Sequence, residues 1–169
     1  MGCWIFQGNP QRFDVDTYLK EAFAKDRIIY WSIMQRKYIN EIKTGDEIFI
    51  WRSDGNVRYS GGIVAKGIVI AEPIFMEDDE RSISLWSSYP GKGYRAKIFL
   101  EDVRLSVEEG MIPRLQIEED DILKNLGIVK FRQLTNYPVD ENMANRIRFL
   151  WVLRKIEILG GNLWNHLHR

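Results

Sequence analysis

The stretch GGIVAKGIVIAEP, residues 61–73, gives the strongest indication of the architecture. Its apolar residues follow one another with little polar interruption, which predicts one long strand. We expect Pro73 to end that strand, because proline has no backbone N–H to give to a sheet. Gly67 stands inside the strand, where a glycine indicates a β-bulge or a bend. Since a small barrel needs such bends at its corners, this stretch predicts a strongly curved sheet.

Other apolar runs predict the remaining strands. EIFIWRS, residues 47–53, alternates so that Ile48 and Ile50 point one way and Trp51 points the other. The further candidates are CWIFQ at 3–7, RIIYWS at 27–32, AKIFLEDVRL at 96–105 and IPRLQI at 112–117. About six strands therefore follow from the sequence.

Two helices are expected beside these strands. Asp14 is a suitable N-cap for a helix over 15–25, and an apolar stripe predicts another helix over 140–156. Strands and helices do not alternate in the rhythm of a parallel sheet. The predicted fold class is therefore α+β, a small mixed or antiparallel β-barrel with flanking α-helices. We expect one domain over 1–156 and a peripheral C-terminal tail over 157–169.

Composition supports a folded domain of ordinary size. The chain has 169 residues, 45% of them hydrophobic, which is too apolar for a disordered chain. The formal net charge is zero, but residues 27–66 hold seven cations and four anions, whereas residues 101–121 hold eight anions and two cations. A neutral total therefore does not exclude a basic face. It does argue against a general nucleic-acid coat protein, whose affinity would come mainly from phosphate neutralisation.

Motifs of catalysis and metal binding are missing from the sequence. The two histidines, His166 and His168, stand in the last four residues, and Cys3 is the single cysteine. The spacings of a zinc site and of a phosphate-binding loop are absent. We therefore expect a binding protein without metal or cofactor, and not an enzyme.

Targeting signals are also not visible. The first residues lack the basic and apolar regions of a secretory signal, and no apolar stretch approaches the length of a membrane span. A single cysteine is compatible with a reducing compartment. We expect a cytoplasmic protein without a membrane partner, and the sequence leaves the oligomeric state open.

Several stretches together resemble an EVE domain. They are WIFQGNPQRFD at 4–14, IYWSI at 29–33, GDEIFIWRSDG at 45–55, GGIVAKGIVIAEP at 61–73, and the later KIFLEDVRL and TNYPVDENMANRI. The likeness covers residue 4 to about residue 150. It implies a PUA-like barrel related to the YTH domains, and a reader of modified nucleobases in DNA or RNA. It does not by itself imply catalysis.

The resemblance also implies which side chains form the site. Trp31 and Ser32 match a cage tryptophan and the serine after it, and Trp86 in SLWSSYPGKG resembles the second cage wall. The predicted base-binding residues are Trp31, Ser32, Trp86, Asn9, Trp51 and Arg52. The predicted phosphate-binding residues are Arg36, Lys37, Lys66 and Arg95.

Three functions remain open at the level of sequence. The leading hypothesis is a nucleic-acid-binding module that recognises a methylated or hydroxymethylated base in an aromatic pocket. The alternatives are a nuclease or base-processing enzyme on the same barrel, and a protein-interaction domain that has lost the pocket. The sequence does not choose between DNA and RNA, nor does it identify the modification.

Overall fold

A computed structural model describes residues 1–168 of the chain as a mixed α+β fold built on one sheet. The strands β1 to β7 are Cys3–Gly8, Ile28–Ser32, Glu47–Arg52, Gly62–Met76, Gly93–Val103, Ile112–Pro113 and Asn136–Val139. The helices α1 to α5 are Val15–Phe23, Glu80–Ile83, Arg114–Glu119, Gly127–Lys130 and Glu141–Leu167, with short 3₁₀ helices at Arg36–Tyr38 and Leu123–Asn125.

The sheet has seven strands in the order β2-β5-β4-β3-β1-β7, and β6 pairs with β4. Neighbours are antiparallel except β1 and β3, which run parallel. The α+β class is confirmed, whereas barrel closure is not, because no backbone ladder joins β2 to β7 within residues 1–168. The buried Asn136 side chain instead links these edges: it accepts from the Met34 N–H and donates to the Ser32 carbonyl, both at 3.0 Å.

The strand β4 shows why its glycine and proline matter. The register with β5 shifts between Lys66 and Gly67, as the bulge prediction requires. A Cβ on Gly67 would lie 2.5 Å from the Phe99 carbonyl oxygen, so a larger residue does not fit there. The expectation that Pro73 ends the strand is wrong, because β4 continues to Met76. The register shifts again between Ala71 and Ile74, so the missing N–H of Pro73 falls in an irregular part of the ladder.

Two apolar clusters lie on opposite faces of β1 and β3. The inner cluster includes Trp4, Phe6, Trp31, Ile48 and Ile50. The outer cluster includes Ile5, Phe49, Trp51, Tyr137 and Trp151. The alternation predicted for residues 47–53 is therefore confirmed, and both faces of these strands are buried.

The helices differ from the expected ones in length and place. Asp14 caps α1 as predicted, by accepting from the Thr17 N–H, and Asp140 caps α5 in the same way, by accepting from the Met143 N–H. The helix predicted over 140–156 does not end at residue 156. As α5 it runs on to Leu167, across the predicted domain boundary. The strand expected over 112–117 is also wrong beyond Pro113, where α3 begins. No helix within residues 1–168 has the length and apolar character that a membrane crossing requires.

Candidate functional site

A cavity of about 680 Å³ lies where β1, β2 and β3 end. Its lining brings together five of the six residues predicted to bind a base, namely Asn9, Trp31, Ser32, Trp51 and Trp86. The loop that follows α4 closes another side of it, through Arg132 and Leu134. The volume falls within the range of roughly 300–1,000 Å³ that is typical of small-molecule pockets.

Three aromatic rings form one wall of this cavity. The Phe13 ring lies between the two tryptophans, with its centroid 6.3 Å from that of Trp31 and 4.8 Å from that of Trp86. A backbone bridge between Phe13 and Trp86 ties the two loops together. The sequence did not single out Phe13. Its position in QRFD, a short turn after a strand, carries no signal that distinguishes it from other core aromatics.

Trp31 is anchored in the core and still reaches the cavity. It is a β2 residue opposite Ala96 of β5, and its side chain is only 5% exposed. Gly8 makes room for the indole, because a Cβ there would lie 3.1 Å from Trp31 Cζ2 and 2.5 Å from a Val15 methyl carbon. The strand fixes the indole, and the cavity beside it leaves space for a ligand.

Trp86 is held by a carboxylate. Its indole N–H donates to Asp78 Oδ2 at 2.8 Å, and Arg95 Nε lies 3.0 Å from Asp78 Oδ1. The side chains of Asp78 and Arg95 are both buried. The Arg95 Nε–H is not directed at Asp78 Oδ1, so neither the Nε nor the Oδ1 atom has a hydrogen-bond partner in the described part of the chain. Asp78 belongs to the acidic stretch MEDDERS, residues 76–82, whose charges are typical of an exposed loop. Asp78 is instead the buried support of a cavity wall.

Two polar side chains stand at the edge of the cavity. The Asn9 side-chain oxygen accepts from the Gln11 N–H at 2.9 Å, which shapes the turn after β1. The Ser32 carbonyl accepts from Asn136, whereas the Ser32 hydroxyl has no hydrogen-bond partner among residues 1–168. The side-chain amide of Asn9 and the hydroxyl of Ser32 therefore keep donors that a ligand can use.

Arg52 does not join the other five base-binding candidates. It points to the opposite side of β3 from Trp51, where its guanidinium donates to Asp16 at 2.8 Å and to the Ser60 and Leu105 carbonyls. Its side chain is buried by these contacts. Arg52 thus joins α1 to the loop before β4 and to the loop after β5, away from the cavity.

The four predicted phosphate contacts divide into two kinds. Lys66 lies between Glu47 and Glu101, at 3.4 and 3.5 Å, and Arg95 is 2% exposed in its pair with Asp78. Arg36 and Lys37 are exposed on the 3₁₀ helix after β2, and neither makes an ion pair within residues 1–168. The first two cations are therefore committed to internal partners, and the last two are free.

One cation that the sequence did not single out borders the cavity. Arg12 is exposed, lines the cavity, and its side chain has no ion pair or hydrogen bond in the described residues. Arg114, which also lines it, is instead bound to Asp54 and Glu118, both at 2.6 Å. Among the described residues, the cavity mouth thus presents one free positive charge, Arg12, beside Arg114 and Arg132, which carboxylates neutralise.

Comparisons with known proteins agree with this architecture. The family described as the EVE domain matches residues 2–150. A hypothetical protein from Leishmania major has a TM-score of 0.63 at 12% identity, over 92% of this chain and 97% of that one. None of the curated proteins compared with the chain matches it.

Two further solved structures share the fold. Human THYN1 protein, solved in complex with DNA containing 5-methylcytosine, has a TM-score of 0.61 at 13% identity, over 91% of this chain and 98% of that one. A Pseudomonas putida protein has a TM-score of 0.62 at 15% identity, over 88% and 99% of the two chains. At these identities the likeness establishes the fold alone.

Proposed function

Because the chain belongs to the EVE domain family, we propose that it is a nucleic-acid-binding module that recognises a methylated or hydroxymethylated base in the cavity beside Trp31 and Trp86. The observation that carries this proposal is the wall of three aromatic rings along an open cavity. The human THYN1 protein of the same fold was solved with DNA containing 5-methylcytosine, which supports a modified base as the ligand.

In such a site, stacking on the aromatic wall offsets the cost of extruding a base but gives little selectivity for a methyl group. Extruding a base from a stack costs a few kcal/mol, and stacking on aromatic walls returns about 1–3 kcal/mol per base. A buried methyl group adds only about 0.8 kcal/mol, or roughly fourfold in affinity. Discrimination beyond that requires polar groups that a wrong base leaves unpaired. In the proposal, Asn9 and Ser32, which line the cavity, supply these polar groups.

Phosphate contacts in this proposal come from the free cations. Arg12 is at the cavity mouth, and Arg36 and Lys37 follow the strand that carries Trp31. Lys66 and Arg95 are not part of the proposed interface, because carboxylates already neutralise them. Arg52 is left out for the same reason.

The side chains of the cavity support a binding function better than a catalytic one. Three carboxylates line it, and each is engaged by an arginine: Asp54 by Arg114, Asp78 by Arg95, and Glu118 by Arg114 and Arg132. A carboxylate in an ion pair is a weak general base, because the positive charge stabilises its ionised form.

The test is a binding screen of short DNA and RNA oligonucleotides that carry different methylated and hydroxymethylated bases, read by quenching of tryptophan fluorescence. We expect Trp31→Ala to weaken binding of the preferred oligonucleotide by about 1–3 kcal/mol, which is about five- to 150-fold. Trp31→Phe is the matched control, because it keeps an aromatic face and fills more of the core.

Circular dichroism must first show that each variant is folded, since Trp31 is also a core residue. A folded Trp31→Ala that binds every oligonucleotide as the parent does would exclude Trp31 as a stacking wall. Turnover of an oligonucleotide would favour the enzyme instead. A parent protein that binds none of them would favour the protein-interaction domain.

A further inference from the structure

The long helix α5 carries an apolar stripe that the other described residues leave exposed. The stripe, named here the outer seam, consists of Phe149, Val152, Ile156, Leu159 and Leu163. These side chains are 54% to 62% exposed. Their spacing alternates between three and four residues, which is the a/d repeat of a coiled coil.

The same helix has a second stripe that packs on the domain. Ala144, Ile147 and Trp151 are buried in the outer cluster, and the Arg154 guanidinium donates to the Met111 and Val107 carbonyls. These inward contacts already hold the helix in place. The outer seam is therefore not needed for the packing of one copy, and its apolar area stays in water.

We infer that the outer seam pairs with the outer seam of a second copy of this chain. A two-fold pairing uses the same surface on both copies, so a single heptad stripe is complementary to itself. Residues 151–167, which make up most of the helix, lie outside the part matched by the EVE family. The inference does not depend on the function proposed for the cavity.

The area is close to what a stable dimer needs. Trp164 and Leu167 adjoin the outer seam and are 64% and 72% exposed, so seven large apolar side chains lie together. At roughly 100 Å² each, they would bury about 700 Å² per copy, against about 800 Å² per partner in an interface of standard size. A patch of this size is unusual on a monomer, where it marks an interaction site.

The attachment of α5 to the domain favours an antiparallel pair. The amino-terminal part of α5 packs on the domain through Ala144, Ile147 and Trp151, whereas residues 159–167 are exposed. A parallel pair would bring both domains to the same end of the two helices, whereas an antiparallel pair places them at opposite ends, with the two-fold axis near Ile156.

Sedimentation equilibrium on the full chain tests the pairing. We expect a mass of twice 20.0 kDa at micromolar concentration. Leu159→Glu should raise the dissociation constant by at least about 100-fold, because each copy would bury an unpaired charge in the seam. The matched control is Asn165→Glu, which adds the same charge to the same helix off the seam and should leave the mass unchanged.

Circular dichroism should show both variants folded, since both side chains are exposed in one copy. A parent chain that stays monomeric at 100 µM would overturn the inference, and so would equal masses for the two variants. A monomer that instead sediments with anionic vesicles, and loses that property in Leu159→Glu, would show that the seam binds membranes and not a second copy.

Cross-linking tests the orientation. Ile156→Cys should form an intermolecular disulfide on oxidation, because residue 156 lies near the expected axis. Leu163→Cys should not, since its two copies would be roughly 21 Å apart along antiparallel helices, far beyond disulfide reach. The native Cys3 is buried and does not interfere. Efficient cross-linking at both positions would show a parallel pair and overturn the antiparallel assignment.

Discussion

Two tryptophans in this molecule make the same contact in opposite surroundings. Trp4 donates its indole N–H to Asp46 at 2.9 Å, and Trp86 donates to Asp78 at 2.8 Å. Both carboxylates are buried. The two pairs differ in what else the carboxylate binds and in what lies beyond the ring.

Both Asp46 oxygens accept hydrogen bonds, so the first pair is called saturated here. Asp78 Oδ1 accepts none within the described residues, so the second pair is called unsaturated. Asp46 also accepts from the backbone N–H groups of Gly2 and Lys43, at 2.7 and 2.9 Å, and the Trp4 ring packs edge-on against Tyr38. Asp78 faces Arg95 without an aligned hydrogen bond, and the Trp86 ring borders the cavity. A saturated pair fixes the fold, because every partner is internal. An unsaturated pair beside open space is where a ligand can still be recognised.

The largest effect expected from this comparison is on stability, at the saturated pair. Trp4→Ala should lower the free energy of unfolding by about 3–5 kcal/mol, because it leaves a cavity in the inner cluster and removes one of the three hydrogen bonds to Asp46. Urea denaturation followed by circular dichroism measures this change. The fraction that stays folded should bind the modified oligonucleotide as the parent does.

Phe75→Ala is the control for Trp4→Ala, because its ring is exposed on β4, away from the cavity and from the outer seam. It should change the free energy of unfolding by less than about 0.5 kcal/mol. If Trp4→Ala instead lost binding while remaining stable, the distinction between saturated and unsaturated pairs would be lost.

The next effect is on binding, at the unsaturated pair. Trp86→Ala should weaken binding of a modified oligonucleotide by about 1–3 kcal/mol through loss of a stacking face. Because Trp86 is only partly buried, its loss should disturb the fold less than that of Trp4. Trp86→Phe keeps the face and removes only the N–H to Asp78, so it should retain most of the affinity. A titration in which Trp86→Ala and the parent agree would exclude this wall from the site.

The sequence predicted the elements better than their ends. Residues 48–51 form a continuous apolar run because both faces of β3 are buried, and such a run between polar residues is typical of a buried strand. IPRLQI is too short for the strand period to be told from a helical one, and α3 begins directly after Pro113. The end of α5 was missed because Gly160 and Gly161 predict a break, whereas two glycines with free space around them only weaken a helix.

The lining of the cavity was predicted better for its aromatic residues than for its charged ones. Trp31 stands at the end of a strand, and the resemblance to an EVE domain pointed to it directly. The partners of Arg52 and Arg95 are Asp16 and Asp78, which are distant in sequence. Nothing in the local pattern shows such pairing, so both arginines were predicted to be free. Only the folded chain shows which charges are already neutralised.

A smaller effect is expected at a cavity carboxylate that is saturated. Asp54 accepts from the N–H groups of Tyr59 and Gly61 and pairs with Arg114. Its partial burial raises the pKa, but these hydrogen bonds and the Arg114 charge outweigh that effect and hold the pKa below its usual range. Asp54→Asn should cost roughly 1 kcal/mol of stability at neutral pH.

The sign of the pH dependence follows from that lowered pKa. The stabilisation by Asp54 is complete above the pKa of the unfolded carboxyl, near 4, and is lost as the pH falls through the lower folded value. Urea denaturation at pH 6 and pH 3 should therefore show less acid sensitivity in Asp54→Asn than in the parent. The preference for a modified over an unmodified oligonucleotide should not change. A changed preference would mean that a saturated carboxylate also reads the base.

The smallest effect extends the comparison from indoles to arginines. Arg52 and Arg95 are buried in ion pairs with Asp16 and Asp78, whereas Arg12 is exposed at the cavity mouth with no ion pair among residues 1–168. Arg12→Ala should weaken modified and unmodified oligonucleotides alike, by about threefold, because a phosphate contact carries no base information. It should also reduce the slope of log affinity against log salt by about one.

Arg36→Ala is the informative companion, since Arg36 is equally exposed but does not line the cavity. Measuring both salt slopes locates the path of the backbone. A reduced slope in both variants would place the strand across the cavity mouth and along the 3₁₀ helix after β2. A reduced slope for Arg36→Ala alone would move the backbone away from the mouth, and the stacked base would then have to enter past Ser32. Unchanged slopes in both would show that exposure without an ion pair is not enough to identify a phosphate contact in this fold.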